Sequence, residues 1–217
     1  MIQLFNGDCL EAMKKMKDNE FDLAIVDPPY GIGMDSDILA DHNVKPSSVW
    51  QKPKIKKYKG NWDNNTPDQE YFDQLFRVSK NQIIWGCNYF TDKIPVSGGR
   101  IYWSKGVSMP TLSKGELAWT NLRNSIDQID LLWAGYRKCE ETERFHPTQK
   151  PIKLYESILS RYAKEGNKIL DTHLGSGSIA IACHNLGYAL VGYELDKDYF
   201  EAAKHRLQEH QKQLRLF

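Results

Sequence analysis

The sequence lacks an excess of either charge, a cysteine pair and any long hydrophobic run. Its 29 Lys and Arg residues balance 28 Asp and Glu residues, which excludes a uniformly basic polyanion binder and restricts any nucleic-acid surface to one region. No apolar stretch approaches the about 20 residues that a membrane-spanning helix needs, and no basic start leads into an apolar segment. We therefore expect a cytoplasmic protein with no membrane partner.

The spacing of the cysteines and histidines predicts neither a metal site nor a disulfide. The four cysteines form no CxxC pair, and the six histidines show no zinc-ligand spacing with them. Neither a disulfide framework nor a metal site is predicted, and a reducing compartment fits this composition. With 41% hydrophobic residues, the 217-residue chain is still long enough to bury a core. We expect one domain over residues 1–217.

Short β-rich apolar runs alternate with helical patterns along the chain, which predicts an α/β fold with a mostly parallel sheet flanked by helices. The predicted strands are Ile2–Phe5, Leu23–Val26, Gln82–Trp85, Arg100–Trp103, Ile129–Trp133, Lys168–Leu170 and Ala189–Tyr193. The predicted helices are Cys9–Lys17, Asp68–Ser79, Ile152–Lys164, Ser178–Leu186 and a last helix that Asp196 caps, with Phe200, Ala203, Leu207 and Leu214 on one face.

Residues 31–66 do not follow this alternation and are too long for an ordinary connection. The segment carries lysines without acidic residues between His42 and Trp62: Lys45, Lys52, Lys54, Lys56, Lys57 and Lys59. These lysines indicate either a solvated surface loop or a contact with a nucleic-acid backbone. A second region, 104–145, is a candidate for a small target-recognition region.

The strand that ends at Val26 leads into Asp27-Pro28-Pro29-Tyr30. A carboxylate at the carboxyl end of a parallel strand lies where open α/β sheets bind ligands, and the two prolines fix the backbone after it. A planar exocyclic amine becomes nucleophilic when two acceptors hold its hydrogens, and Asp27 and the Pro28 carbonyl can supply them. Tyr30 can stack on a base. The alternative interpretation is a rigid turn.

A second motif runs from Lys168 through Asp171-Thr-His-Leu-Gly175-Ser-Gly177 into a helix, and Glu194 ends the next strand. Gly175 and Gly177 with a downstream acid nearly match the dinucleotide fingerprint, so an oxidoreductase is an alternative. Asp171 would repel a pyrophosphate, whereas it would attract a sulfonium or ammonium group. The electrostatics therefore favour a cationic cofactor.

Two weaker segments complete the pattern. His146-Pro-Thr-Gln-Lys-Pro151 precedes a helix, and as a single signal it is more typical of a helix entry. Asn6-Gly7-Asp8-Cys9 joins a strand to a helix, and Asp8 fits a helix cap. Asp8 would also accept a hydrogen bond from an adenine amino group if a cofactor lay across the strand ends.

Together these motifs resemble the S-adenosyl-L-methionine-dependent DNA amino-methyltransferases of the permuted order, in which the catalytic motif precedes the cofactor motif. The resemblance implies a Rossmann-like fold, DNA as partner, a restriction-modification setting and no metal. It implies Asp27, Pro28, Pro29 and Tyr30 as the catalytic motif. It implies cofactor contacts at Asp8, Cys9, Thr148, Gln149, Lys150, Asp171, His173, Leu174, Gly175, Ser176, Gly177, Glu194 and Leu195.

Asp before Pro-Pro favours adenine N6 over cytosine N4 as the acceptor, and it argues against relatives that modify glutamine. Two departures concern packing, since His173-Leu174 stands where Phe is common and Cys87 where a second Gly is common. The alternatives are a cytosine-N4 enzyme, an RNA adenine methyltransferase, an oxidoreductase and a non-catalytic nucleic-acid-binding module. The short target-recognition region also predicts loose recognition, or help from a partner or a homodimer.

Overall fold

The computed structural model describes residues 1–32, 63, 65–107, 113–134, 137–138, 146 and 148–212. Lys45, Lys52, Lys54, Lys56, Lys57 and Lys59 lie outside the described residues. The strands are β1 (Ile2–Asn6), β2 (Leu23–Val26), β3 (Gln82–Trp85), β4 (Arg100–Ser104), β5 (Gly115–Thr120), β6 (Ile126–Asp130), β7 (Trp133–Ala134), β8 (Arg137–Lys138), β9 (Lys168–Asp171) and β10 (Ala189–Glu194). The helices are α1 (Cys9–Met13), α2 (Gln69–Val78), α3 (Ile152–Tyr162), α4 (Ser178–Leu186) and α5 (Lys197–Lys212).

Eight strands form one sheet in the order β1-β10-β9-β2-β3-β5-β4-β6, while β7 and β8 form a separate hairpin. Five neighbouring pairs are parallel, and β5 is antiparallel to both of its neighbours. The predicted α/β fold with a mostly parallel sheet is confirmed. The prediction missed β5 and placed β6 three residues too late. Region 104–145 thus contributes β5 and β6 to the main sheet.

The centre of the sheet is covered on both faces. Along β2, Leu23 and Ile25 pack in one apolar cluster with α3 and α4, whereas Ala24 and Val26 pack in the other with α2. Every residue of β2 and β3 is buried. A strand buried on both faces reads as a continuous apolar run, which is why these strands were visible in the sequence.

The parallel arrangement brings several chain segments to one edge of the sheet. Asn6 of β1 pairs with Glu194 of β10, and Gly192 of β10 pairs with Asp171 of β9. Strand β2, which leads to Asp27, lies directly beside β9. The ends of these strands therefore meet at the carboxyl edge, where open α/β sheets bind ligands.

The helix predictions agree closely with the structure. The predicted Asp196 cap of α5 is confirmed, because its carboxylate accepts hydrogen bonds from the backbone amides of Asp198 (2.8 Å) and Tyr199 (3.0 Å). Phe200, Ala203 and Leu207 are buried as predicted, and Leu214 lies outside the described residues. Helix α1 ends at Met13, four residues before the predicted end. In the described part of the chain, no helix has the length and apolarity needed to cross a membrane.

Candidate active site

A cavity of about 710 Å³ opens at the carboxyl edge of the sheet. This volume lies in the range of small-molecule and cofactor sites. The structure brings most of the predicted site residues to its wall: Asp8, Cys9, Asp27, Pro29, Thr148, Gln149, Lys150, His173, Leu174, Gly175, Ser176, Glu194 and Leu195. Segments that are far apart in the sequence therefore form one site.

Four predicted site residues are not among those that line the cavity: Pro28, Tyr30, Asp171 and Gly177. Tyr30 contacts the site through its hydroxyl, which donates to Asp27 Oδ1 at 2.5 Å. Asp171 lies one residue before the lining segment, and its Oδ1 accepts from the amide of His173 at 3.0 Å. Gly177 is the N-cap of α4 and has a φ of 73°. These residues support the wall instead of forming it.

Sequence reasoning missed part of the wall. The cavity is also lined by Gly7, Leu10, Pro67, Asp68, Tyr71, Tyr155, Thr172, Asp196, Lys197 and Tyr199, together with His146. Tyr71 reaches the site from α2, and its hydroxyl lies 2.6 Å from Thr172 Oγ1. The sequence predicted a helix over Asp68–Ser79 but no site residue on it, so no sequence signal pointed to Tyr71.

Carboxylates outnumber ammonium groups on the described wall. The five acids are Asp8, Asp27, Asp68, Glu194 and Asp196, and the two lysines are Lys150 and Lys197. Such a wall attracts a cationic ligand and repels a pyrophosphate.

Glu194 and Asp8 are each held by backbone amides. Glu194 Oε2 accepts from Gly175 at 2.8 Å, and its Oε1 accepts from Asp196 at 2.9 Å. Burial raises the pKa of Glu194 above its usual value. Asp8 Oδ1 accepts from Leu10 at 2.7 Å, so the predicted helix cap is confirmed. Because Asp8 also lines the cavity, capping and ligand contact are compatible there.

Two groups beside β9 have strongly shifted pKa values. Burial raises the pKa of Asp171 to about 8, although the His173 amide opposes this. Burial also lowers the pKa of His173 to about 4, so its imidazole is neutral at pH 7. An uncharged imidazole at position 173 is compatible with the Phe that is common there in the family that the sequence resembles. The raised pKa of Asp171 leaves a buried carboxyl that a nearby cation would help to ionise.

Both oxygens of Asp27 are engaged from within the protein. Tyr30 donates to Oδ1, and the Lys150 ammonium forms a short ion pair with Oδ2. Burial raises the pKa of Asp27, and the positive charge of Lys150 opposes this rise. The resemblance places Lys150 near a cofactor carboxylate; Lys150 lines the cavity, but its ammonium is directed at Asp27 and at Glu116. Lys150 thus joins the segment before α3 to the Asp27-Pro28-Pro29-Tyr30 motif.

The backbone after Pro29 is fixed by a residue that the sequence did not indicate. Asp63 Oδ1 accepts from the amides of Tyr30 (2.7 Å) and Gly31 (3.0 Å), and Asp63 is buried. The Tyr30 ring stacks on Tyr89 with a centroid distance of 4.9 Å and an interplanar angle of 13°. Tyr30 is therefore held at its backbone, its ring and its hydroxyl.

Comparison with known proteins finds sequence similarity to DNA methylases. The sequence profile of a family described as DNA methylase matches residues 110–205. The chain is 23% identical over 231 residues to the Type II methyltransferase M.HpaI of Haemophilus parainfluenzae, covering 94% of this chain and 74% of that protein. It is 24% identical over 252 residues to the Type II methyltransferase M2.DpnII of Streptococcus pneumoniae, covering 94% and 89%.

A solved structure shares the fold along nearly the whole chain. The crystal structure of the M1.HpyAVI–SAM complex has a TM-score of 0.61 and 22% identity, and the match covers 95% of this chain and 99% of that one. Residues 110–205 of this chain thus match a DNA methylase family, and nearly the whole chain is similar in sequence to two Type II methyltransferases.

Proposed function

We propose that this protein transfers a methyl group from S-adenosyl-L-methionine to the N6 amine of adenine in DNA. The observation that carries the proposal is the position of Asp27, which follows β2 beside β9 and lines the same cavity as Asp8 and Glu194. A carboxylate that orients an amine and a wall suited to a cationic cofactor therefore share one space.

The residues of the cavity fit S-adenosylmethionine. Its sulfonium and ammonium groups are cations that suit the acidic wall. Glu194, held by two amides, would accept from the ribose hydroxyls, and Asp8 would accept from the adenine amino group. Thr148 and Gln149 would donate to the carboxylate of the methionine moiety. The same acids would disfavour a dinucleotide, because its pyrophosphate would lie among carboxylates.

The catalytic motif prepares the amine for attack. When bound, the cofactor supplies an electrophilic methyl group on sulfur. The lone pair of adenine N6 is delocalised into the ring, so Asp27 and the Pro28 carbonyl accept the amine hydrogens and draw the nitrogen toward tetrahedral geometry. Tyr30 and Lys150 hold Asp27 in place, so little reorganisation is required. Asp27 then receives, directly or through water, the proton that the amine loses.

Access to N6 requires the adenine to leave the duplex. Extrusion costs a few kcal/mol, which contacts to the DNA backbone must offset. We assign these contacts to Lys45, Lys52, Lys54, Lys56, Lys57 and Lys59. The ring of Tyr30 would stack on the extruded base. Tyr89 already covers one face of the Tyr30 ring, so a base can stack on that face only if Tyr89 moves.

Nucleoside analysis after methyl transfer tests the proposal. Purified protein with labelled S-adenosylmethionine should convert adenine in duplex DNA to N6-methyladenine and should leave RNA of the same sequence unmodified. Asp27→Ala should abolish transfer while it keeps cofactor binding. N4-methylcytosine as the product, or preferential transfer to RNA, would establish the corresponding alternative. Sequencing of methylated positions in expressing cells would then give the target sequence.

A further inference from the structure

Beneath the catalytic motif lies a row of alternating charges from four parts of the chain. Lys150 Nζ contacts Asp27 Oδ2 on one side and lies 3.1 Å from Glu116 Oε2 on the other. Glu116 Oε1 in turn accepts from Lys105 Nζ at 2.5 Å. The Lys150 side chain is only 2% exposed and that of Glu116 24%. The row therefore links Asp27, on the cavity wall, to β5, a strand that carries none of the motifs recognised in the sequence.

Glu116 and Asp27 share one ammonium. Burial opposes the charged form of Lys150, yet the two carboxylates raise its pKa above the usual value. Burial also disfavours ionised Glu116, but Lys150 and Lys105 lower its pKa below the usual value. Both groups therefore stay charged at neutral pH, and Lys150 is drawn toward two carboxylates at once.

The position of β5 explains how Glu116 reaches this row. In the antiparallel pair, Trp85 at the end of β3 faces Ala118, and the Gly86 amide donates to the Leu117 carbonyl at 2.9 Å. Glu116 thus lies at the carboxyl edge, level with the end of β3. The Lys150 ammonium also lies 5.3 Å from the centroid of the Trp85 ring, which covers it from a third side.

We infer that Glu116 is a positioning residue for methyl transfer: it anchors Lys150 from behind, so that the ammonium stays on Asp27 and the carboxylate keeps both its place and its basicity. This inference rests on the proposed function of Asp27. Lys150 alone would hold Asp27 ionised and make it a weak proton acceptor. The negative charge of Glu116 offsets that effect, and Lys105 limits the offset.

The pKa of Asp27 depends on the charged and titratable groups around it. Tyr30, Lys150 and Glu116 act on it most directly, and Asp171, Tyr71 and Tyr155 lie within its electrostatic reach. Glu116→Gln removes a negative charge and should lower the pKa of Asp27. Lys105→Met leaves Glu116 less neutralised and should raise it. The two substitutions break the same ion pair but shift Asp27 in opposite directions.

Carboxyl ¹³C NMR of the cofactor-free protein measures this directly, with the Asp27 signal assigned by its loss in Asp27→Asn. The acid limb of the single-turnover rate should move in the same directions, to lower pH in Glu116→Gln and to higher pH in Lys105→Met. At neutral pH, Glu116→Gln should lower the transfer rate about 10- to 100-fold, since small misplacements of a reacting group are costly. Affinities for S-adenosylmethionine and DNA should remain within about twofold.

Glu20→Gln is the matched control, because Glu20 also pairs with a lysine, Lys168 at 2.8 Å, but lies before the start of β2 at the opposite edge. It should leave the Asp27 signal and the rate unchanged. Shifts of Asp27 in the same direction in both test variants, or no shift in either, would overturn the inference. If Glu116→Gln does not fold, the direction of the shift in Lys105→Met decides alone. Absence of transfer by the wild-type protein would instead remove the proposed function.

Discussion

The ring of Tyr30 lies against Gly86, so closely that a Cβ at position 86 would come within 2.1 Å of the ring Cε1. Gly86 follows β3 and has a φ of 68°, in the left-handed region. The turn after β3 therefore sets the position of Tyr30, and its glycine is required both for backbone conformation and for space.

Gly86→Ala should accordingly displace Tyr30 and release its hydrogen bond to Asp27. We expect methyl transfer to fall at least about 10-fold while S-adenosylmethionine affinity is retained, because the cofactor wall lies on other strands. Single-turnover transfer assays and calorimetric titration with S-adenosylmethionine measure these two effects, and urea unfolding measures the change in stability. Gly187→Ala is the control, since Gly187 also has a positive φ (77°) but has nothing within 4 Å of its Cβ position. It should cost about 1–2 kcal/mol of backbone strain and no activity.

Tyr30→Phe separates the hydroxyl of Tyr30 from its ring. The ring would still stack on Tyr89, but Asp27 Oδ1 would lose its donor at 2.5 Å. We expect the transfer rate to fall about 10-fold, corresponding to about 1.4 kcal/mol, with unchanged cofactor affinity. Tyr89→Phe makes the same chemical change on the stacked partner and should leave the rate near the wild-type value. Equal losses in both variants would argue against a specific role for the Tyr30 hydroxyl.

Asp171→Asn should change how stability depends on pH. The pKa of Asp171 is raised by burial to about 8 from an ordinary value of 3.8, so the folded protein binds its proton more tightly than the unfolded chain. Wild-type stability is therefore lost, relative to the Asn variant, as pH rises from about 4 to 8, and the loss is at most about 1.4 kcal/mol for each pH unit crossed. Unfolding midpoints between pH 5 and 9 would show the variant gaining on the wild type.

Asp22→Asn is a control for the pH dependence of unfolding, because the pKa of Asp22 is lowered in the folded protein, whereas that of Asp171 is raised. Hydrogen bonding to Lys80 lowers the pKa of Asp22, so the ionised form stabilises the folded state. Its stability contribution is present above the unfolded pKa and is lost as pH falls through the folded value. Asp22→Asn should therefore lose stability at neutral pH, where Asp171→Asn gains it. A pH-independent effect of Asp171→Asn would contradict its raised pKa.

Glu194→Gln should weaken cofactor binding. Each oxygen of Glu194 accepts from a backbone amide, so an amide nitrogen in place of either oxygen would face a donor. We expect the affinity for S-adenosylmethionine to fall at least about 10-fold, because the neutral amide side chain offers the ribose hydroxyls a weaker acceptor than the carboxylate does. Calorimetric titration measures this, and Glu201→Gln, an exposed change on α5, is the control. Retained affinity would exclude Glu194 from the cofactor site.

The lysines of residues 31–66 give a prediction about DNA affinity. Neutralising Lys54, Lys56 and Lys57 together should weaken DNA binding and flatten its salt dependence, by about 0.9 in log–log slope for each phosphate that the variant no longer neutralises. Cofactor affinity should not change. Fluorescence anisotropy over a range of salt concentrations tests this, and an unchanged slope would remove this segment from the interface.

The parts of the fold that the sequence predicted are those with a local cause. Strands β2 and β3 are buried on both faces and so appear as apolar runs, and Asp196 precedes its helix as a capping residue should. Strand β5 shows neither an apolar run nor a capping residue in its sequence. Its sequence, Gly-Glu-Leu-Ala-Trp-Thr, begins with a poor strand former and does not alternate, so its strand conformation depends on pairing with β3 and β4.

The same reasoning applies to the site. Asp27, Gly175 and Glu194 stand next to recognisable strand ends, so their proximity followed from the predicted parallel sheet. Glu116 lies near Asp27 because β5 pairs antiparallel to β3, and Asp63 bonds to Tyr30 from 33 residues further along the chain. Neither connection leaves a period or spacing in the sequence, because each is determined only when the whole sheet is assembled.

The pairing of β1 with β10 also fixes when the protein can first act. Asp8 is synthesised long before Glu194, which lines the same cavity. Strand β2 pairs with β9, which is synthesised much later. The Asp27–Tyr30 motif is therefore made long before the strand that lies beside it. A nascent chain that lacks β9 and β10 therefore cannot form the cavity, and its central strand β2 still lacks the neighbour that covers one of its edges.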